Sequence, residues 1–240
     1  MTVPTVSSSG NEAASIAPAE TSQTELCYGN LRSELLAGAF PSGERLKTAH
    51  LASRFGVSLS VVREALTRLT NDGLTVASSR RGFCAAGISV AQIEQQADAM
   101  REIEAICLRR SIAAASQEWE DRVEACFTKL AATPVHDADA EASISSAFSE
   151  NYAAFRDALV SACDNPVLLE TRARLRALGM RHENICIQLG AQSSNAADDH
   201  RQLLEAALAR DSGRAVRLLS TRIKANAKRF VAAYCRAYGG

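Results

Sequence analysis

Between Thr48 and Ala86 the chain reads as a short helix, a glycine, a second helix and a hairpin with two arginines at its turn. Few folds accommodate that order. Leu51, Ala52 and Phe55 share one face of a predicted helix over Thr48–Phe55, and Gly56 breaks it. Val62, Ala65, Leu66 and Leu69 repeat the pattern on a second helix over Ser60–Asn71. Past Gly73 the texture changes. Leu74-Thr75-Val76-Ala77 predicts a strand, Ser78 to Gly82 a turn, and Phe83-Cys84-Ala85-Ala86 the returning strand. An earlier helix starts near Thr24, carries Leu26, Leu31, Leu35 and Leu36, and ends at Gly38. Three helices and a two-stranded wing over residues 24–88 make a winged helix-turn-helix.

Charge supports a nucleic-acid role for this segment. The whole chain has a formal net charge of zero, with 47% apolar and 22% charged residues, as expected of a globular protein. From Glu25 to Ile88, however, eight basic residues face five acidic ones, a local excess of +3. Ser58 and Ser60 lie at the start of the second helix, where short hydroxyls and free backbone N–H groups can meet phosphates or base edges. Arg63, on the outward face of the first turn, has the fork that reads guanine in the major groove. Arg80 and Arg81 sit at the hairpin tip beside Gly82. A solvated helix and a random charged loop would not put basic side chains at both of these places.

The rest of the chain sets limits. Residues 1–23 are Ser, Ala, Thr, Pro and Glu without an aromatic, a composition that predicts a disordered tail. Residues 89–240 read as helical throughout, with predicted helices at about 90–115, 117–131, 141–163, 166–190, 197–209 and 211–236. Trp119 and Phe127 are expected in the core, and His136 and His182 are given no role. Seven scattered cysteines with no CxxC pair read as reduced thiols. With no basic residue before Arg32 and no long apolar run, the expected location is cytoplasmic, away from membranes.

The stretch from LRSELLAGAFPSGERL through LASRFGVSLSVVREALTRLTNDGL to SSRRGF resembles the N-terminal domain of GntR-type regulators. ACDNP and DHRQLLEAALARD resemble the FCD effector domain of the FadR subfamily. The resemblance implies a DNA-binding transcription regulator, more often a repressor, acting as a homodimer on a near-palindromic double-stranded operator. It also implies an all-α antiparallel bundle over 89–240 for effector binding and dimerisation. By position, the family's recognition-helix contacts fall on Ser58, Ser60 and Arg63, and its wing contacts on Arg80, Arg81 and Gly82. Two arginines common in the family are Ala49 and Leu59 here, and Lys47 is a candidate substitute contact to phosphate.

FCD domains usually hold a divalent metal. The resemblance places the four ligand positions at Tyr152, Arg156, His200 and Arg222, of which only His200 suits a metal. The expectation is that no metal cofactor is used. Arg101 falls where the family carries an arginine for the effector carboxylate. Arg101, Arg156 and Arg222 with Tyr152 and His200 would form a positive pocket for a small anionic metabolite, a carboxylate or phosphate. Three alternatives stand beside this. Arg156 and Arg222 could be ordinary surface charges, or Arg156 could be neutralised by a buried carboxylate in a domain that is only a scaffold. The helical domain could also be an enzyme for an anionic substrate, although no GxSxG, HExxH, Walker A or GxGxxG sequence is present. The chain is expected not to be an enzyme.

Overall fold

In the computed structural model the described residues are 22–78, 80–137, 140–191 and 197–239. All but the last two residues of the predicted tail, and part of the stretch expected to separate the helices near residue 190, lie outside them.

The winged domain is built as its periodicity demands. Helix α1 (Gln23–Leu36) starts where the Ser22 hydroxyl accepts from the Glu25 N–H, and it buries Cys27, Leu31, Leu35 and Leu36. Helix α2 (Thr48–Phe55) ends at left-handed Gly56, whose N–H donates to the Ala52 carbonyl. Helix α3 (Leu59–Asn71), capped by Ser58, buries Val62, Ala65, Leu66 and Leu69 against α1 and α2. The wing has one strand more than expected. β1 (Arg45–Leu46), β2 (Thr75–Ser78) and β3 (Gly82–Ala85) form an antiparallel sheet in the order β1-β3-β2. β1 is two residues long, too short for alternation to register. It still ties the α1–α2 connection to the wing by pairing Arg45 with Cys84 and Leu46 with Phe83.

The second domain is helical but not wholly so. It comprises α4 (Val90–Ala114), α5 (Gln117–Ala132), α6 (Ser146–Val160), α7 (Pro166–Gln188), α8 (Ala197–Leu208) and α9 (Ser212–Tyr238). A small hairpin, β4 (His136–Asp137) with β5 (Ala140–Ile144), replaces the predicted start of the helix over 141–163. Ser145 explains the shift. Its hydroxyl accepts from the Phe148 N–H and caps α6 there, so the preceding residues are free to extend. Asn165 caps α7, whose first residue is Pro166. The core of this domain runs from Met100, Cys107 and Leu108 on α4 through Phe155 and Leu159 to Leu203 and Leu219. Trp119 is buried in it and Phe127 packs against it, as expected. Among the described residues no helix is long and apolar enough to cross a membrane.

The two domains meet along α7. Ala177 and Leu178 pack on the winged core. Asn184 donates to the Leu36 carbonyl at 2.8 Å, Gln188 to the Ala37 carbonyl at 3.2 Å, and Arg181, 2% exposed, to the Ala86 carbonyl. Ile88 joins Ile93, Ile185, Cys186, Ala191 and Ala233 in a junction core, and the Tyr234 hydroxyl donates to the Ile88 carbonyl at 3.0 Å. Gly38 permits the approach twice over. Its φ is +76°, and an added Cβ would lie 3.0 Å from Gln188 Nε2 and 3.3 Å from Ile185. Gly38→Ala is expected to lower unfolding free energy by about 1–2 kcal/mol from the left-handed backbone alone and to speed amide exchange in the second half of α7. Unchanged stability and exchange in denaturant and deuterium experiments would contradict this account of the junction.

Candidate functional site

The first surface is the start of α3 with the wing. Ser58 Oγ accepts from the Val61 N–H and lies 2.8 Å from Ser60 Oγ, so the two hydroxyls are fixed together at the helix start. Arg63 follows one turn on, exposed. Arg80 and Arg81 are exposed at the wing tip, where Gly82 takes a φ of +71° to turn the chain back. Lys47 is exposed at the start of α2. Ion pairing separates these residues from their neighbours. Arg54 pairs with Glu34 and Arg68 with Glu25. The described residues offer no such partner to Lys47, Arg63, Arg80 or Arg81.

The second locus is buried. Glu104, on the α4 face that also carries Met100, Cys107 and Leu108, is 1% exposed. It pairs with Arg156 of α6 and lies 3.1 Å from Arg172 Nε of α7. Arg172 donates further to Asp157 at 2.6 Å and to the Arg156 carbonyl at 3.2 Å. Beside this lattice Arg222 Nε of α9 donates to the Tyr152 hydroxyl at 3.1 Å, and the Tyr152 ring sits 4.9 Å from the His200 ring of α8. The guanidinium carbons of Arg156 and Arg222 lie 5.8 and 5.3 Å from the Tyr152 ring centre. Several buried polar atoms here have no hydrogen-bond partner among the described residues: Arg156 Nε, Arg222 Nη1 and His200 Nε2. Among the described residues the ion-pair partner of Arg222 Nη1 is the half-exposed Asp199 carboxylate, 3.6 Å away.

Electrostatics of the cluster lean positive. Burial, then Arg222 and Arg156, hold the His200 imidazole down to a pKa of about 3, so it is neutral at physiological pH. Burial works against the charge on Arg156, but Glu104 and Tyr152 together more than offset it and keep the guanidinium above its ordinary value. Burial pushes the Glu183 carboxyl of α7 up, against the pull of Arg156, Arg229 and Arg222. Arg229 is itself lowered by burial and by Arg222.

Tyr152, Arg156, His200 and Arg222 are thus neighbours. Arg101 pairs along its own helix with Asp98 and Glu102, while Glu104, one turn on, pairs with Arg156. Sequence reasoning missed Glu104, Arg172, Glu183 and Arg229. One signal was there for Glu104, a carboxylate four residues from Met100 and Leu108 on an otherwise apolar stripe. His182, given no role, is buried on α7, and burial followed by Arg181 brings its pKa down to about 4.

A winged helix-turn-helix joined to a helical bundle with a polar, buried centre is the build of a DNA-binding transcription regulator that carries a second, non-DNA domain. The model for bacterial regulatory proteins of the gntR family matches residues 23–84, and the FCD domain model matches residues 95–225. The chain therefore belongs to the GntR family, as a member with an FCD domain. It is 30% identical over 199 residues to the HTH-type transcriptional repressor GlaR of Escherichia coli (strain K12), across 80% of this chain and 88% of GlaR. It is 27% identical over 202 residues to the HTH-type transcriptional regulator BphR of Paraburkholderia xenovorans (strain LB400), across 84% and 82% of the two chains. Among solved structures, E. coli McbR/YncC superposes with a TM-score of 0.71 at 20% identity, across 90% of this chain and 100% of that one. A GntR-type regulator from Rhodococcus sp. RHA1 gives 0.70 at 19%, across 88% and 99%. These two likenesses concern the fold.

The buried histidines make stability pH-dependent. The folded pKa values of His200 and His182 lie below the ordinary value of 6.5. Below that value the unfolded chain binds more protons, so stability is full above it and falls as pH drops. The loss reaches about 1.4 kcal/mol per pH unit for each histidine. Urea unfolding between about pH 7 and pH 5 should show this loss, and His200→Gln should reduce its slope. An unchanged slope in that variant would contradict the buried, neutral imidazole.

Proposed function

We propose that this regulator binds its operator as a homodimer, represses transcription there, and changes its DNA affinity when a small carboxylate or phosphate metabolite occupies the buried arginine cluster. Repression is supported by the description of GlaR as a repressor. One observation carries the anion reading: the buried N–H groups of Arg156 and Arg222 and the His200 Nε2 that have no hydrogen-bond partner among the described residues all surround Tyr152. Buried polar atoms without partners cost about 1–3 kcal/mol each, and an oxyanion would supply acceptors to several at once.

The donor set does not suit a divalent metal. Two of the four family ligand positions are guanidinium groups, which repel a cation, and one is a tyrosine that already accepts from Arg222. Among the described residues no group of three His, Cys, Asp or Glu side chains could hold a metal ion. Direct arginine binding of the anion takes the place of the metal in this proposal. α7 provides the route to DNA, since Arg172 and Glu183 belong to the cluster while Arg181, Asn184 and Gln188 hold the winged domain.

A second reading has its own observation. Glu104 neutralises Arg156 and engages Arg172, and a self-compensated cluster would make the domain a scaffold without a ligand. Thermal unfolding separates the two. A panel of mono- and dicarboxylates, sugar acids and phosphorylated metabolites should contain a compound that stabilises the full chain, by about 2.7 kcal/mol at a hundred times its dissociation constant. Arg222→Gln should abolish that gain. Glu104→Gln should lower the melting temperature without ligand, because it leaves the buried Arg156 guanidinium without its carboxylate and Arg172 with Asp157 alone, and should enlarge the gain with ligand. No stabilisation by any anion in either the wild type or Glu104→Gln would favour the scaffold. For the DNA surface, Arg63→Ala should abolish sequence-selective binding in gel-shift assays while dimer and melting temperature stay unchanged, and retained selectivity would refute the docking.

A further inference from the structure

The recognition helix opens on an apolar side chain. Leu59, its first residue, is 50% exposed, one of few large apolar side chains that the described residues leave in solvent. It lies between Ser58 and Ser60, whose hydroxyls are 2.8 Å apart, and Ser58 also caps the helix through the Val61 N–H. Those hydroxyls are therefore partly committed to local structure. Leu59 is not: it stands in the first turn of α3, ahead of Val62, Ala65, Leu66 and Leu69, which fill the core of the winged domain, and half of it is left in solvent. Four residues on, and so on the same side of the helix, stands Arg63, exposed and without an acidic partner among the described residues.

We infer that Leu59 is a specificity-determining residue that reads the C5-methyl group of a thymine in the major groove, beside the guanine read by Arg63. The inference rests on the proposed docking of α3 in that groove. A leucine can accept no hydrogen bond and donate none, so its only selective partner among base edges is the thymine methyl. Burial of one methyl between them corresponds to about fourfold in affinity. A leucine between two hydroxyls thus adds apolar readout to a helix start that otherwise offers only polar contacts. It also excludes from close approach any base that presents an unsatisfied donor or acceptor there, because desolvating that group costs more than the leucine returns.

The test uses thymine without its methyl. Duplexes selected by the full chain from a random-sequence pool supply the operator, and each thymine in a half-site is replaced singly by deoxyuridine. The wild type should lose about fourfold at one thymine per half-site, next to the guanine whose readout disappears in Arg63→Ala. Leu59→Ala should bind the thymine and deoxyuridine duplexes equally. A deoxyuridine penalty that persists in Leu59→Ala would overturn the inference. So would the absence of any penalty in a chain that still selects its operator through Arg63, and in that case the docking itself stands. Failure to select any sequence would overturn the docking, and the role of Leu59 with it.

Discussion

A carboxylate buried at the middle of α4 organises the helical domain. Glu104 comes from the apolar stripe of that helix and meets one guanidinium from α6 and one from α7. Arg172 then reaches Asp157 and the Arg156 carbonyl, so three helices are locked in register by a single charged lattice. Such a lattice is costly to desolvate and costlier to break, since removing one member leaves the others charged and unpaired. That asymmetry gives it a defined geometry where hydrophobic contact alone would permit sliding. It also sets how much positive charge is left over. Glu104 is shared between two arginines, and Arg222 depends on Tyr152 and a distant Asp199.

The same constraint bears on how the proposed anion would be felt elsewhere. α7 is a continuous helix of 23 residues from Pro166 to Gln188. Its first half holds Arg172 and Arg176 against the lattice. Its second half buries Arg181 on the Ala86 carbonyl and touches the end of α1 through Asn184 and Gln188. An anion that drew Arg156 away from Glu104 would alter the register of α6 on α7, and a rigid helix would carry that change to the winged domain. Coupling needs no more than a difference in anion affinity between two placements of that helix.

Much of this architecture was legible in the residues. The recognition helix was readable because capping serines, apolar period and glycine breaks agree over a short stretch. Its neighbour β1 was not, because two residues cannot show a period. The hairpin before α6 was hidden by a helix-compatible composition, and only the capping role of Ser145 separates it. At the buried cluster the residues aligned with a family pattern, Tyr152, Arg156, His200 and Arg222, could be named in advance. Their partners could not, since Glu104, Arg172, Glu183 and Arg229 meet them from other helices through tertiary contact alone. Arg101 stands one turn from Glu104 and pairs along its own helix with the exposed Asp98 and Glu102.

The central claim is that occupancy of the arginine cluster sets DNA affinity through α7. Its most direct measurement is the equilibrium affinity of the full chain for a selected operator duplex, read by fluorescence anisotropy with and without a stabilising anion. The account predicts a change of at least about fivefold, the lower end of typical allosteric coupling, and no change in Arg222→Gln. An anion that binds the wild type tightly through Arg222 yet leaves the operator affinity where it was would contradict it.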